Sequence, residues 1–412
     1  CEAGRNRGQG VRRRGELLRT IDRPAPMPEF SGRGLAVPPV HLSRLVLTDF
    51  RCYSRAELHL DGRPVVLTGE NGAGKTNLLE AVSLLSPGRG LRGAAYAELA
   101  RDEGAGGWIV AATLETEHGP VRLGTGLEAG VDIGTRSRSV RIAGEQAGPS
   151  ALAELVSLVW LTPAMDRLFM EGASERRRFL DRLVMGFDPA HGTRAGAYDR
   201  ALRERNKLLS DAVFDDAWLS GLEEQMAEHG VAIAAARREM LARLRGALAA
   251  AKDGAFPRAD VALEGTLETA LETAPAVDVE DAFRATLKEM RGRDAAAGRA
   301  LDGPHRSDLL VRHSAKDREA RQCSTGEQKA LLIGIVLANA RLMAAMGRPP
   351  LLLLDEVAAH LDAERRAALF DEITGLNLQA FMTGTDPALF DSLGSRAQNL
   401  HVDHGMVAPA AS

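Results

Sequence analysis

The stretch that decides the fold is Val65-Val-Leu-Thr-Gly69-Glu-Asn-Gly72-Ala-Gly74-Lys75-Thr76-Asn-Leu-Leu-Glu-Ala-Val-Ser-Leu-Leu85. An apolar strand pattern ends at Thr68, and a glycine-rich turn follows. From Lys75 the apolar positions recur at helical spacing until Pro87-Gly88 closes the helix after Ser86. Gly69 to Thr76 fits G-x-x-x-x-G-K-[ST] without a gap. The glycines let the backbone of Gly69, Glu70, Asn71, Gly72, Ala73 and Gly74 curl so that successive N–H groups point at phosphate oxygens. The helix N-terminus adds its dipole. Lys75 is placed to reach the β and γ phosphates and the Thr76 hydroxyl to ligate Mg²⁺, so ATP with Mg²⁺ is the predicted cofactor.

Pro350-Leu-Leu-Leu-Leu354-Asp355-Glu356 reads as an apolar strand ending in two carboxylates. Asp355 suits the metal, and Glu356 is placed to orient or deprotonate an attacking water. Between loop and strand, Ser324-Thr325-Gly326-Glu327-Gln328 carries the S-x-x-E capping box ahead of about twenty residues of helical pattern. Such a start exposes N–H donors able to grip a γ-phosphate, which nominates Ser324, Gly326 and Glu327. In the order of loop, helix start and carboxylate strand, the chain resembles the ABC class of ATPases. That resemblance implies that the gripped phosphate belongs to ATP on a second subunit. Ala359-His360-Leu361-Asp362 resembles the loop that crosses the class's dimer interface. Thr383-Gly384-Thr385 stands where the class commonly places a histidine sensor, and no histidine is there. The glutamine loop of the class has no counterpart legible in the sequence.

Composition sets the broad class. At 412 residues, with 45% hydrophobic and 26% charged residues, the chain suits a soluble protein of two or three lobes. No uninterrupted apolar run approaches the length of a bilayer span, the longest being broken by Asn339 and Arg341. Cys1, Cys52 and Cys323 make no metal spacing, which suggests a reducing cytoplasm. The net charge of −4 argues against coating nucleic acid by charge alone. Lys75 is the sole lysine of the first 200 residues, so the abundant arginine reflects a compositional bias before it reflects any ligand.

Residues 1–38, rich in Arg, Gly and Pro, are expected to form a disordered extension. The ATPase head is expected to begin over 39–180. It holds strands at Leu42–Phe50, Glu57–Leu60 and Pro64–Thr68, with an antiparallel β arm over residues 108–147. Residues 181–300 read as an Ala-rich helical lobe, with Leu222, Met226, Ile233, Met240, Leu244 and Leu248 near multiples of 3.6. A single helix over Asp216–Ala251 would span roughly 50 Å, and a break is expected near Gly230. Residues 301–412 return to the head. The fold class is therefore α/β, an ABC-type head with a β arm and an inserted helical second lobe.

From Leu42 onward the chain resembles the RecF family. The resemblance is carried by LVLTDFRCY before GENGAGKTNLLEAVSLL, by LTPAMDRLFMEGASERRRFLDRL over Leu161–Leu183, by DRALRERNKLL from Asp199, and by GPHRSDL over Gly303–Leu309. CSTGEQKALL replaces the more usual transporter-type helix start, Ser307 stands where an acidic residue is expected, and Trp160 where Phe is expected. The resemblance implies a compact head with a short helical lobe and an ATP-dependent homodimer that hydrolyses slowly, as a weak DNA-dependent ATPase. It implies binding to double-stranded, gapped or single-stranded DNA, and partnership with RecR and through it RecO. Recombinase loading at gaps and normal SOS induction follow from the same source.

For DNA contact the candidates are Arg89, Arg92, Arg176, Arg177 and Arg178, with Arg200, Arg203 and Arg205 further along. Few aromatic residues argue against base stacking as the main mode. Two alternatives share the ATP motifs. A chromosome-structural ATPase of the SMC group would require a long coiled coil, and a transporter ATPase subunit would leave no place for the helical insertion.

Overall fold

The computed structural model describes residues 38–130, 137–251 and 254–410. The extension expected over 1–38 lies outside them save for Pro38. Alternating burial along His41–Phe50 (β1) and Tyr53–His59 (β2) pairs them as an antiparallel hairpin around the turn at Arg51–Cys52. Val65–Thr68 (β3) is buried on both faces and leads through the glycine loop into Lys75–Ser83 (α1). Trp108–Glu115 (β4), Val121–Leu127 (β5), Ser139–Ile142 (β6) and Glu145–Ala147 (β7) complete the expected arm. It is one antiparallel sheet of order β2-β1-β4-β5-β6-β7.

A second sheet forms the head's centre. Leu158–Leu161 (β8) opens it, and the chain then runs through Ala173–Met185 (α2), His191–Ser210 (α3) and Asp216–Ala250 (α4). Ala259–Glu264 (β9), Ala276–Glu289 (α5) and Arg291–Ala297 (α6) follow. Asp308–His313 (β10) and Arg318–Glu319 (β11) then pair with β9 in a small antiparallel sheet. Thr325–Ala345 (α7), Leu351–Leu354 (β12), Ala363–Gly375 (α8), Ala380–Gly384 (β13), Gln398–Asp403 (β14) and Met406–Pro409 (β15) close the chain. The central order is β15-β14-β3-β13-β12-β8, parallel except at β15. β3, β13, β12 and β8 are buried at every position and read as mostly apolar runs because both faces are covered. Val65, Leu67, Leu353 and Phe381 pack toward α1 and the arm, while Val66, Leu352, Leu354 and Met382 pack toward α7 and α8.

Three expectations need correction. First, α4 passes Gly230 unbroken. A Cβ at Gly230 would lie 3.1 Å from Phe283 and 3.2 Å from Tyr198, so this glycine serves close helix packing rather than a break. Second, the lobe is not wholly helical, since β9 lies within it and pairs with β10. Third, α7 is, among the described residues, a helix long and apolar enough to cross a membrane by length and composition. Its apolar side chains are mostly buried in the head core, and its apolar character on every side follows from that burial.

The lobe is held by buried charge. Arg205 of α3 is fully buried, donating to Glu223 of α4 at 3.0 Å, Asp294 of α6 at 2.7 Å and the Leu287 carbonyl at 2.6 Å. It is therefore a cross-link among helices and no DNA contact. Arg205→Leu leaves buried Asp294 without its cation and takes from Glu223 one of two, and is expected to lower stability by about 3–5 kcal/mol in urea unfolding. Arg200→Leu, at an exposed site on the same helix, is expected to stay within about 0.5 kcal/mol of the parent.

Candidate functional site

Gly69 leaves β3 with φ +149°, and a Cβ there would lie 2.1 Å from the Val402 carbonyl oxygen of β14. Gly74 has φ +118°, and its Cβ would meet Tyr53 Oη at 2.6 Å and Cys52 Sγ at 2.8 Å. The loop is thus clamped between the β1–β2 turn and the β14–β15 hairpin, where only glycine fits. Tyr53 Oη donates to the Gly74 carbonyl at 3.0 Å, and Gly405 N to the Ala73 carbonyl at 3.3 Å. Burial pushes the Tyr53 phenol far above its usual range, so it stays a neutral donor. These supports escaped the sequence reading because none carries a motif.

Lys75 Nζ donates to the Gly69 and Glu70 carbonyls, both at 2.8 Å. Burial lowers its pKa, while the carboxylates of Glu356 and Asp355 oppose the shift, so all three groups share one field. Thr76 Oγ1 donates to Asp355 Oδ1 at 2.8 Å, and Thr383 Oγ1 donates to the same oxygen at 2.9 Å. Glu356 N donates to Thr383 Oγ1 at 2.8 Å. Glu356 adopts φ +53°, a left-handed conformation that costs a non-glycine residue roughly 1 kcal/mol or more. Thr383 therefore ties both carboxylate residues to β13.

A cleft of about 810 Å³ opens beside these groups, walled by Thr76, Asp355 and Glu356 on one side and by Arg178, Phe179 and Arg182 of α2 on another. Thr162 to Met165, which follow β8, line it between them. Arg182 lies 4.3 Å over the Trp160 ring, and burial pushes its pKa down to about 10. Asp166, in the same segment, receives Lys329 of α7 at 3.0 Å.

Ser324 caps α7 as the spacing predicts. Glu327 N donates to Ser324 Oγ at 3.4 Å, and Ser324 N donates to Glu327 Oε2 at 2.9 Å. Glu327 is held at about 2 by Lys316 and by Ser324. Its carboxylate thus serves the cap, leaving exposed Ser324 and Gly326 as the open end of the helix. Neither lines the cleft that holds Thr76 and Asp355. His360 is exposed, and Asp362 caps α8 through Arg365 N at 2.8 Å.

The arginines divide. Arg176 forms two 2.7 Å bonds with Asp308, and Arg177 donates to the Ser307 carbonyl at 2.7 Å, so both fasten α2 to the start of β10. Arg92 binds Asn77 at 2.8 Å and buried Glu80 at 3.1 Å. Arg89 is exposed, and Arg178 is exposed although it meets Glu175 at 2.6 Å. Ser307 is buried and donates to Glu268 at 2.7 Å, so a carboxylate from elsewhere stands beside the expected acidic position.

A phosphate loop on a parallel sheet, an antiparallel arm beside it and a helical insertion define an ABC-type ATPase head. The family model described as RecF/RecN/SMC N terminal domain matches residues 41–406. The DNA replication and repair protein RecF of Rhizobium leguminosarum bv. trifolii is 57% identical over 89% of this chain and 98% of its own length. RecF of Rhizobium meliloti is 56% identical over 371 residues. A structure of the recombination mediator protein RecF with ATP, from the RecFOR pathway, superposes with a TM-score of 0.77. It is 22% identical and covers 92% of this chain and 100% of its own. The Smc head domain of Pyrococcus furiosus reaches 0.51 at 16% identity, covering 90% of this chain and 96% of its own. The chain belongs to the RecF family of DNA replication and repair proteins.

Thr383→Val leaves the Glu356 N–H without its acceptor and removes one of two donors to Asp355. It is expected to cost about 1–3 kcal/mol in chemical unfolding, while Thr383→Ser, which keeps the hydroxyl, recovers most of that loss.

Proposed function

We propose that the chain is a slow ATPase that closes on DNA as an ATP-dependent homodimer and supports recombinase loading at gaps and SOS induction in the cytoplasm. The observation that carries this reading is the division of the phosphate-binding parts. Thr76, Asp355 and Glu356 line one cleft and Lys75 precedes Thr76 in the phosphate loop, while the open helix start at Ser324 and Gly326 does not line that cleft. A second copy would bring the missing donors, and the ATP would then bridge two heads.

The residues suit the cofactor. The N–H groups of Glu70 to Lys75 and the Lys75 ammonium fit polyphosphate, and the glycine cradle admits nothing larger than hydrogen at Gly69 and Gly74. Thr76 and Asp355 offer convergent hard oxygens, the usual small protein share of a Mg²⁺ site. Once bound, that ion neutralises charge on the phosphoryl group. Glu356 would orient or deprotonate water, with Thr383 holding its backbone in place. No group of three or more His, Cys, Asp or Glu side chains able to hold a metal stands elsewhere among the described residues.

For DNA, exposed Arg89, Arg178, Arg200 and Arg203 remain the candidates. RecR, and RecO through it, are the proposed protein partners, in line with the pathway of the ATP-bound structural neighbour.

Lys75→Met is expected to abolish ATP-dependent dimers in sedimentation together with ATP-dependent binding to gapped duplex across a salt series. A variant that stays monomeric yet binds DNA as the parent does would separate the two and overturn the reading. Glu356→Gln is expected to trap the ATP-bound dimer and slow turnover at least about 10²-fold, and unchanged turnover would remove Glu356 from the chemistry.

A further inference from the structure

The turn between α3 and α4 is exposed at every position from Asp211 to Trp218. Val213, Phe214 and Trp218 stand there at 41%, 55% and 50% exposure. The chain has three tryptophans, and the other two, Trp108 and Trp160, are buried. An exposed Phe and Trp four residues apart, in a chain with few aromatics, need an explanation that scattered surface leucines do not.

The turn is rigid. Val213 N donates to the Leu208 carbonyl at 2.9 Å and Ala212 N to the Leu209 carbonyl at 3.3 Å, which stops α3 in the manner of a glycine cap. The cap residue is Ala212 at φ +55°, a strained choice where glycine would be free. On the far side Asp215 accepts from Trp218 N at 3.0 Å and fixes the first turn of α4. Trp218 is thereby presented on a preorganised helix end. Gly221, one turn on, has nothing within 4 Å of a would-be Cβ and leaves the indole flank open. The far half of α4 packs into the head core through Met240, Leu244 and Leu248. At 1.5 Å per residue the aromatic pair stands about 40 Å along the helix from those contacts.

Charge selects the occupant. No lysine or arginine occurs from Leu208 to Ala236, whereas Asp211, Asp215, Asp216, Glu223, Glu224 and Glu228 all fall in that interval. Asp216 and Glu223 are neutralised by Arg291 at 2.7 and 2.6 Å, and Lys288 lies 3.3 Å from Asp216. Asp211, Glu224 and Glu228 enter no ion pair among the described residues, and exposed Lys207 precedes them in α3. An acidic rim repels phosphate, so the surface does not suit DNA. Two tips facing each other about a two-fold axis would set acid against acid, which disfavours self-pairing.

We infer that the α3–α4 tip is a docking site for a partner protein that offers an apolar pocket rimmed by lysine or arginine, with Phe214 and Trp218 as its anchors. The choice of probes rests on the repair reading above, and the surface itself does not. Full-length parent and the double variant Phe214→Ser, Trp218→Ser are titrated with purified RecR and, separately, RecO at low and high salt. The expected result is that one of them binds the parent in a salt-sensitive way and loses at least about 30-fold affinity for the double variant. Glu224→Lys with Glu228→Lys is expected to weaken the same complex. ATP-dependent dimers and DNA binding of both variants stay as in the parent, which separates this surface from the ATP-site reading. Equal affinity of parent and double variant for every protein that binds the parent overturns the inference. So does a double variant that loses DNA binding or self-association instead. If neither protein binds the parent, a photo-crosslinking residue at position 218 decides. A crosslinked protein whose purified form binds the parent and not the double variant supports the inference, and crosslinks only to DNA or to a second copy sink it.

Discussion

Asp355 Oδ1 accepts from both Thr76 and Thr383, and this shared oxygen is where the head is tied together. Thr76 lies in the first turn of α1, Asp355 follows β12 and Thr383 lies in β13, so one carboxylate fixes the relative height of three neighbouring segments. The same arrangement leaves its remaining lone pairs facing the cleft. The strand order β3-β13-β12 makes this possible, because it puts the loop and the carboxylate strand two strands apart with Thr383 between them.

From that centre, α2 is the element through which the cleft touches the rest of the chain. Arg182 reaches into the cleft over Trp160, while its neighbour Asp181 turns to the lobe and takes two bonds from Arg237 of α4, at 2.8 and 2.9 Å. Burial would raise the Asp181 carboxyl, but hydrogen bonds from His191 and Arg237 outweigh it and hold it at about 2. Arg176, a turn and a half earlier, grips Asp308 at the start of β10. A shift of α2 at the cleft therefore has stiff, charged connections to α4 and β10 rather than a slippery apolar contact. Lys329 and Asp166 make a parallel link from the cleft's lining segment to α7.

The parts legible in the sequence are those whose chemistry is local. The phosphate loop, the Ser324 cap and the strand before Asp355 each need only neighbours in the chain, and each is where the spacing placed it. The parts that misled depend on partners distant in sequence. Gly230 reads as a breaker until Tyr198 and Phe283 are packed against it, and Arg205 reads as a DNA contact until Glu223 and Asp294 surround it. Arginine bias made this worse, since a buried cross-link and a solvated contact have the same letter. β9 was missed because six residues with an ambiguous period sit inside a helical neighbourhood. Thr383 carries no motif of its own and gains its meaning only from the strand beside it.

Backbone strain points to the same places by an independent route. Among the described residues, eight non-glycine positions have positive φ, and the Asp, Asn and His among them tolerate it through short polar side chains. Four do not have that excuse: Arg51, Ala143, Ala212 and Glu356. Ala143 precedes Gly144 in the two-residue turn joining β6 and β7, where the hairpin's own twist demands left-handed residues. Arg51 sits in the turn that presses Cys52 and Tyr53 against Gly74, and its guanidinium is anchored on buried Glu80 at 2.9 and 3.0 Å. Glu356 is held by Thr383. In both, a specific bond opposes the strain and fixes a group beside the phosphate loop. Ala212 has only its backbone cap for support, yet glycine would serve that cap at lower cost. Alanine narrows the turn's freedom in the unfolded and folded chain alike, in the turn that carries exposed Phe214 and leads to exposed Trp218.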